Sequence, residues 1–240
     1  MPRSDEFFMA SCQAILFTPD EEVSPAKIIS GLLPGWTSRF DGEPVVLPFP
    51  GGVPREIPRV ILESRTGTWR CEIASSRISV FWRRTTEENT APSLAEFFEE
   101  ASQRLIEYQD FQRSRVGRIA AVLNRFSRVD SPGPYLARHF CQERWLTAPL
   151  NRPEAFELHA HKKYEWSGFR VNSWVRNKTA ELDSPGAESR QPIILVEQDI
   201  NTLPEDEPKA AYNPPEIRRF FSLIGEEFDH ILKLYHPSEE

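Results

Sequence analysis

Along residues 170–178 an aromatic ring is interleaved with cations and an amide at a spacing of two: Arg170, Asn172, Trp174, Arg176 and Lys178 alternate with Phe169, Val171, Ser173 and Val175. Such alternation marks a strand with one buried face, so the polar set and Trp174 share the outward face. An indole among cations can stack a nucleobase, cover a guanidinium or anchor a protein interface. The preceding segment alternates as well, and its outward set includes His161. Trp174, Arg170, Asn172, Arg176 and His161 are therefore the candidate binding residues. The competing reading is that the sheet bends and a loop, such as residues 41–58, covers Trp174.

Other groups with chemical potential carry less. His159-Ala160-His161 puts two imidazoles on one strand face, a spacing that can hold a metal, but a third ligand would have to come from a neighbouring strand. Solvated histidines explain the pair equally well, and no metal site is expected. Gly51-Gly52 lacks the lysine and the strand-to-helix setting of a phosphate loop and reads as a turn. No Gly-x-Ser-x-Gly elbow or His-Glu-x-x-His helix occurs. Glu205-Asp206-Glu207 lies in a proline-flanked segment and reads as a solvated turn. Glu197 and Asp199, spaced by two at the end of an apolar run, share a face and can reach an Arg or Lys of an adjacent strand. A structural ion pair is their default role. No catalytic residue and no cofactor are expected.

The elements that must position these groups follow from periodicity. In the second half, residues 116–129 alternate as a strand with Ile119, Ala121 and Leu123 on one face. Ser131-Pro132-Gly133-Pro134 breaks it, and a short helix is expected from Tyr135 to about Cys141. Phe156 to Trp166 and Phe169 to Lys178 read as a hairpin about Ser167-Gly168. A polar loop over residues 183–190 leads to Ile193-Ile194-Leu195-Val196, a short apolar strand. Asn213, Pro214 and Glu216 then start a helix whose stripe is Ile217, Phe220, Phe221, Ile224, Phe228, Ile231, Leu232 and Tyr235.

The first half repeats this order. Ala14 to Phe17 is strand-like, Ser24-Pro25 opens a short helix and Pro34-Gly35 closes it. After the loop at 41–58 come three strands with inward sets Val60/Leu62, Trp69/Cys71/Ile73 and Ile78/Val80/Trp82. A helix begins at Pro92-Ser93 with Leu94, Phe97, Phe98, Ala101, Leu105 and Tyr108 on one stripe. The expected fold is α+β: a curved antiparallel sheet backed by helices, built from two pseudo-repeated β-α-β-β-β-α halves, residues 1–112 and 113–240, that form one compact unit.

Charge and composition narrow the partners. The 240 residues carry a net charge of −7 and no long basic run, which disfavours indiscriminate binding to nucleic acid or anionic membrane. Yet residues 55–84 sum to +4 and residues 155–178 to +3, leaving −14 elsewhere. A sheet that is basic on its open face and backed by acidic helices would produce this segregation. Lysine and arginine placed to block edge pairing would produce it too. No apolar run approaches the roughly 20 residues needed to span a bilayer, and no signal peptide is evident. The three cysteines are far apart and odd in number, which points to a reducing, cytoplasmic setting.

The segments "PRVILESRTGTWRCEIASSRISVFWRR", "AAVLNRF" and "EIRRFFSLIGEEFDHIL" resemble a sporadically distributed bacterial family of uncharacterised proteins. The shared features are a Trp-containing hairpin (Trp69), an Asn-Arg pair in a mid-chain strand (Asn124-Arg125) and a closing helix with a late Phe (Phe228). The chain departs from it in placing Leu123 before the Asn. The resemblance implies no activity. Separately, the doubled element order is similar to the TATA-binding-protein-like fold, a saddle that supports several functions. Two functions follow as expectations. The first is a non-catalytic protein-interaction module, as an accessory or neutralising partner in a bacterial defence or toxin–antitoxin system. The second is a nucleic-acid-binding saddle using the basic sheet face.

Overall fold

Period-two alternation from Phe8 to Thr202 builds a single sheet, and the two long amphipathic stripes build the helices that cover one side of it. The computed structural model describes residues 2–19, 22–47, 54–86, 89–146, 151–182 and 190–238. The strands are β1 (Phe8–Phe17), β2 (Val45–Val46), β3 (Val60–Glu63), β4 (Trp69–Ile73), β5 (Arg77–Arg83), β6 (Arg118–Arg128), β7 (Glu157–Trp166), β8 (Phe169–Leu182) and β9 (Gln191–Thr202). The helices are α1 (Pro25–Gly31), α2 (Leu33–Trp36), α3 (Leu94–Gln112), α4 (Pro132–Phe140) and α5 (Pro214–Tyr235). Strand order is β2-β3-β4-β5-β1-β6-β9-β8-β7, with every neighbouring pair antiparallel. The fold is α+β, as expected. From the central β1–β6 pair, the strands step outward in reverse chain order on both sides.

Local chemistry sets the helix starts. Ser93 and Asn213 each accept a hydrogen bond from the backbone N–H three residues on, and the Glu96 and Glu216 carboxylates in turn accept one from the backbone N–H of the cap residue. This reciprocal box satisfies two otherwise orphaned donors at each helix start. α3 and α5 then lie side by side on the sheet. Phe98 stacks on Phe221 and Phe228 at centroid separations of 5.7 and 6.2 Å, and Trp69 of β4 stacks on Phe97 at 5.5 Å. Phe220, Phe221, Ile224 and Phe228 are buried, together with the three inward strand sets read from the first half.

Three local readings are corrected. The Ser131–Pro134 segment starts α4 instead of preceding it, because a proline at a first-turn position needs no N–H partner. Pro34-Gly35 falls within α2 for the same reason, so a second helical turn follows α1. β9 runs to Thr202, well past the apolar run ending at Val196. Its outer half alternates Gln198, Ile200 and Thr202 inward with Glu197, Asp199 and Asn201 outward, a half-buried strand that reads as polar. The loop at 41–58 contains the short β2, while Gly51-Gly52 and most of the 183–190 loop lie outside the described residues. No helix among the described residues is long and apolar enough to cross a membrane.

Candidate binding face

The hairpin closes as the sequence implies. Ser167 and Gly168 have φ of 48° and 82°, the left-handed pair required by the tight turn whose twist matches two flanking strands. This turn fixes the register that sets His161 opposite Trp174. Phe169, Val171 and Val175 are buried on the helix side. Arg170, Asn172, Trp174, Arg176 and Lys178 consequently share the side that carries no helix among the described residues, together with Glu157, His159, His161, Lys163 and Glu165 of β7.

The five candidate residues are brought to one surface but are not equivalent. His161 and Trp174 stack face to face, with centroids 4.1 Å apart and planes 12° from parallel. The imidazole shields one indole face, so Trp174 is half-buried while His161 is exposed. Nε2 of His161 also pairs with Oδ1 of Asn172. Asn172 is itself buried despite its outward position, flanked by His161 and by Asn201 directly opposite on β9. Arg170 and Arg176 are exposed. β2 lies at the opposite sheet edge, so this described part of the 41–58 loop does not cover Trp174.

β9 supplies the groups that complete this surface. Asp199 is directly opposite Trp174, and Glu197 is opposite Arg176. Glu197 bridges Arg176 at 3.6 Å and Lys178 at 3.0 Å, the reach expected of it from sequence. Asn201 donates through Nδ2 to Asp199 at 3.0 Å. Burial raises the Asp199 carboxyl above its usual range, opposed by that hydrogen bond and by the charges of Arg118 and Arg176. Arg118 caps the Phe17 ring at 3.6 Å and bridges Glu207 at 3.1 Å. Asn201 and Arg118 were not legible as members of this surface. Their only signal is the period-two alternation that continues through the polar half of β9 and the start of β6.

Electrostatically most cations of the face are paired. Beyond Arg176 and Lys178, Lys163 bridges Glu205 at 2.6 Å, and Arg170 reaches both oxygens of Asp206 at 3.0 and 3.1 Å. Across the sheet, Arg70 bridges Glu72 at 2.7 Å and Arg83 bridges Glu63 at 2.8 Å. The acidic turn at 205–207 is thus a rim that pairs with Lys163 and Arg170 of the hairpin and with Arg118 of β6. Exposed pairs of this kind contribute little to stability, but they flatten the surface potential.

The two histidines of the His-x-His spacing do not converge. His161 lies against Trp174, and His159 approaches Glu157 at 3.3 Å. Among the described residues no three His, Cys, Asp or Glu side chains gather as a metal cage. Burial pushes the Cys12 and Cys71 thiols well above their usual range, which removes thiolate chemistry from both. The motif residues Trp69, Arg125 and Phe228 are on the helix side. There the Arg125 guanidinium reaches Asp229, the Phe228 carbonyl at 3.5 Å and Gln198 at 3.4 Å, while Asn124 bonds Ser11 at 2.9 Å on the other face. No protein-family model matches the chain, and no curated protein matches it significantly.

Proposed function

We propose that this chain is a non-catalytic protein-interaction module that docks a partner on its helix-free sheet face, as an accessory or neutralising component of a bacterial defence or toxin–antitoxin system. The observation that carries the reading is the pairing of that face. Arg70, Arg83, Arg118, Lys163, Arg170, Arg176 and Lys178 each already hold a carboxylate. A phosphate backbone gains affinity by exchanging counterions on unpaired cations, and here each exchange would first break an ion pair. What remains is a stacked aromatic pair ringed by amides and paired charges, the make-up of an interface centre.

The architecture we infer behind it is a saddle of two β-α-β-β-β-α halves, residues 1–112 and 113–240, similar to the TATA-binding-protein-like fold. The outward stepping of strands from the β1–β6 pair supports it. The two copies are unequal, since the first contributes the extra β2. The test is capture of a protein partner from the native host with the 240-residue chain, followed by affinity measurement from about 50 to 200 mM salt. A protein interface changes little over this range, whereas binding through six to ten phosphate contacts falls roughly 10³–10⁵-fold. The steep outcome overturns the reading in favour of a nucleic-acid-binding saddle.

A further inference from the structure

Where β6 passes into α4 the chain lines a cavity of about 700 Å³, away from the open sheet face. Two pieces of chain form it, and a missing side chain holds them together. Gly133, in the first turn of α4, lets the Pro153 and Glu154 carbonyls run against the helix, where a Cβ would sit 2.2 and 2.8 Å from them. That contact sets Arg152 beside α4. On α4 itself Leu136 and Ala137 are buried, while Ser131, Tyr135 and Arg138, spaced by four and three, share the face that lines the cavity. Arg138 and Arg152 are exposed and make no ion pair or hydrogen bond among the described residues, although most arginines of this acidic chain are held by a partner. The Ser131 side chain makes no cap hydrogen bond. The Tyr135 hydroxyl is buried with no hydrogen-bond partner, a condition that calls for a bound group to satisfy it. Asp130 is the one carboxylate among the lining residues, set against two guanidiniums. His139 also lines the cavity, but its Nε2–H is committed to the Tyr235 carbonyl.

We propose that this cavity binds a small phosphate monoester that carries further hydroxyls, a compound of sugar-phosphate size. The inference goes beyond the reading of the open sheet face and does not depend on it. Arg138 and Arg152 supply two planar forks of the geometry that grips a phosphate dianion. The Ser131 and Tyr135 hydroxyls are the remaining donors. A carboxylate has two oxygens for these four groups, whereas a phosphate monoester presents three strong acceptor oxygens and close to two negative charges. Asp130 repels a second anionic group and accepts a hydrogen bond from a ligand hydroxyl, which favours a polyol phosphate over a bisphosphate. Val129 and Pro134 leave an apolar wall for the carbon skeleton. The volume falls within the roughly 300–1,000 Å³ of small-molecule sites.

The probe is ribose 5-phosphate, titrated by calorimetry into the 240-residue chain, with ribose and inorganic phosphate run separately. Ribose 5-phosphate should saturate below about 1 mM, inorganic phosphate should bind more weakly and ribose should give no signal. Arg138→Ala and Arg152→Ala, at exposed positions that hold no contact in the fold, should each weaken binding roughly tenfold or more. Arg219→Ala removes another arginine without an ion pair, one that lies over the Phe169 ring and outside the cavity, and should leave binding unchanged. Tyr135→Phe should weaken binding without lowering the thermal unfolding temperature of the unliganded protein, because an unpaired buried hydroxyl adds nothing to the free fold. Asp130→Ala should narrow the gap between ribose 5-phosphate and inorganic phosphate. No saturation by ribose 5-phosphate up to about 1 mM, equal affinity for ribose or for inorganic phosphate, or full affinity in either cavity-arginine variant overturns the proposal. Each of these failures leaves the Trp174 face untouched, and loss of partner capture by Trp174→Ala leaves this cavity untouched.

Discussion

Acid should unfold this protein through His236. The side chain is fully buried just beyond α5, where its Nε2 pairs with Oδ1 of Asn177 at 2.8 Å. Phe7 and Phe140 pack on its ring at 4.6 and 6.0 Å, and the His139 ring of α4 lies 5.5 Å away. Burial lowers its pKa from 6.5 to about 4, aided by the charge of His139 and opposed by the Pro2 backbone. The neutral imidazole is therefore the folded form. Above pH 6.5 neither state takes up the proton and there is no penalty. As pH falls from 6.5 toward 4, the unfolded chain protonates first and stability drops. A depression of this size corresponds to roughly 3 kcal/mol at about 1.36 kcal/mol per unit. That is a large share of the 5–15 kcal/mol typical of a folded domain. The assay is urea denaturation of the wild type and His236→Gln at intervals from pH 7.5 to 4. Gln retains an amide donor for Asn177, so the two stability curves should converge with falling pH as only the wild type pays for protonation. Carboxylates titrate alike in both proteins and cancel in the difference. Curves that stay parallel down to pH 4.5 would refute the argument.

Other consequences of the packing are equally direct. Phe228→Ala removes a fully buried ring stacked on Phe98 and should cost roughly 3–5 kcal/mol in urea denaturation; a loss below about 1 kcal/mol would mean that the α5 stripe is not core. Gly133→Ala should destabilise by roughly 1–3 kcal/mol, because a Cβ there would sit 2.2 Å from the Pro153 carbonyl oxygen and 2.8 Å from that of Glu154. Maleimide labelling of the native protein at neutral pH should modify Cys141, which is partly exposed, and leave Cys12 and Cys71 unreacted until denaturant is added.

What was legible in the sequence was whatever obeys a period. The hairpin's faces, the α3 and α5 stripes and the inward sets of β3, β4 and β5 follow from alternation, because a single buried face leaves each side chain one choice. That Glu197 could reach a cation of an adjacent strand was legible for the same reason; that the cations are Arg176 and Lys178 was not. What lacked a period was misplaced. α4 begins within a proline-glycine cluster because the first helical turn tolerates prolines that would break its interior. The extension of β9 to Thr202 was missed because the apolar run that marks the strand ends at Val196 and its outward residues are polar. Which cations remain unpaired could not be read at all, since Glu205, Asp206 and Glu207 meet their partners only through the turn after β9. The burial of Asn172 was equally hidden, because it depends on the cross-strand neighbour Asn201 and the diagonal neighbour His161.

The most direct test of the account is the affinity of the captured protein partner for wild type and for Trp174→Ala, measured at low and moderate salt. Removing the indole should weaken binding by more than about 2 kcal/mol, the scale of an interface hot spot, with unchanged thermal unfolding and little salt dependence. Retention of full affinity by Trp174→Ala would contradict docking on this face, and a steep decline of wild-type affinity with salt would contradict a protein partner there.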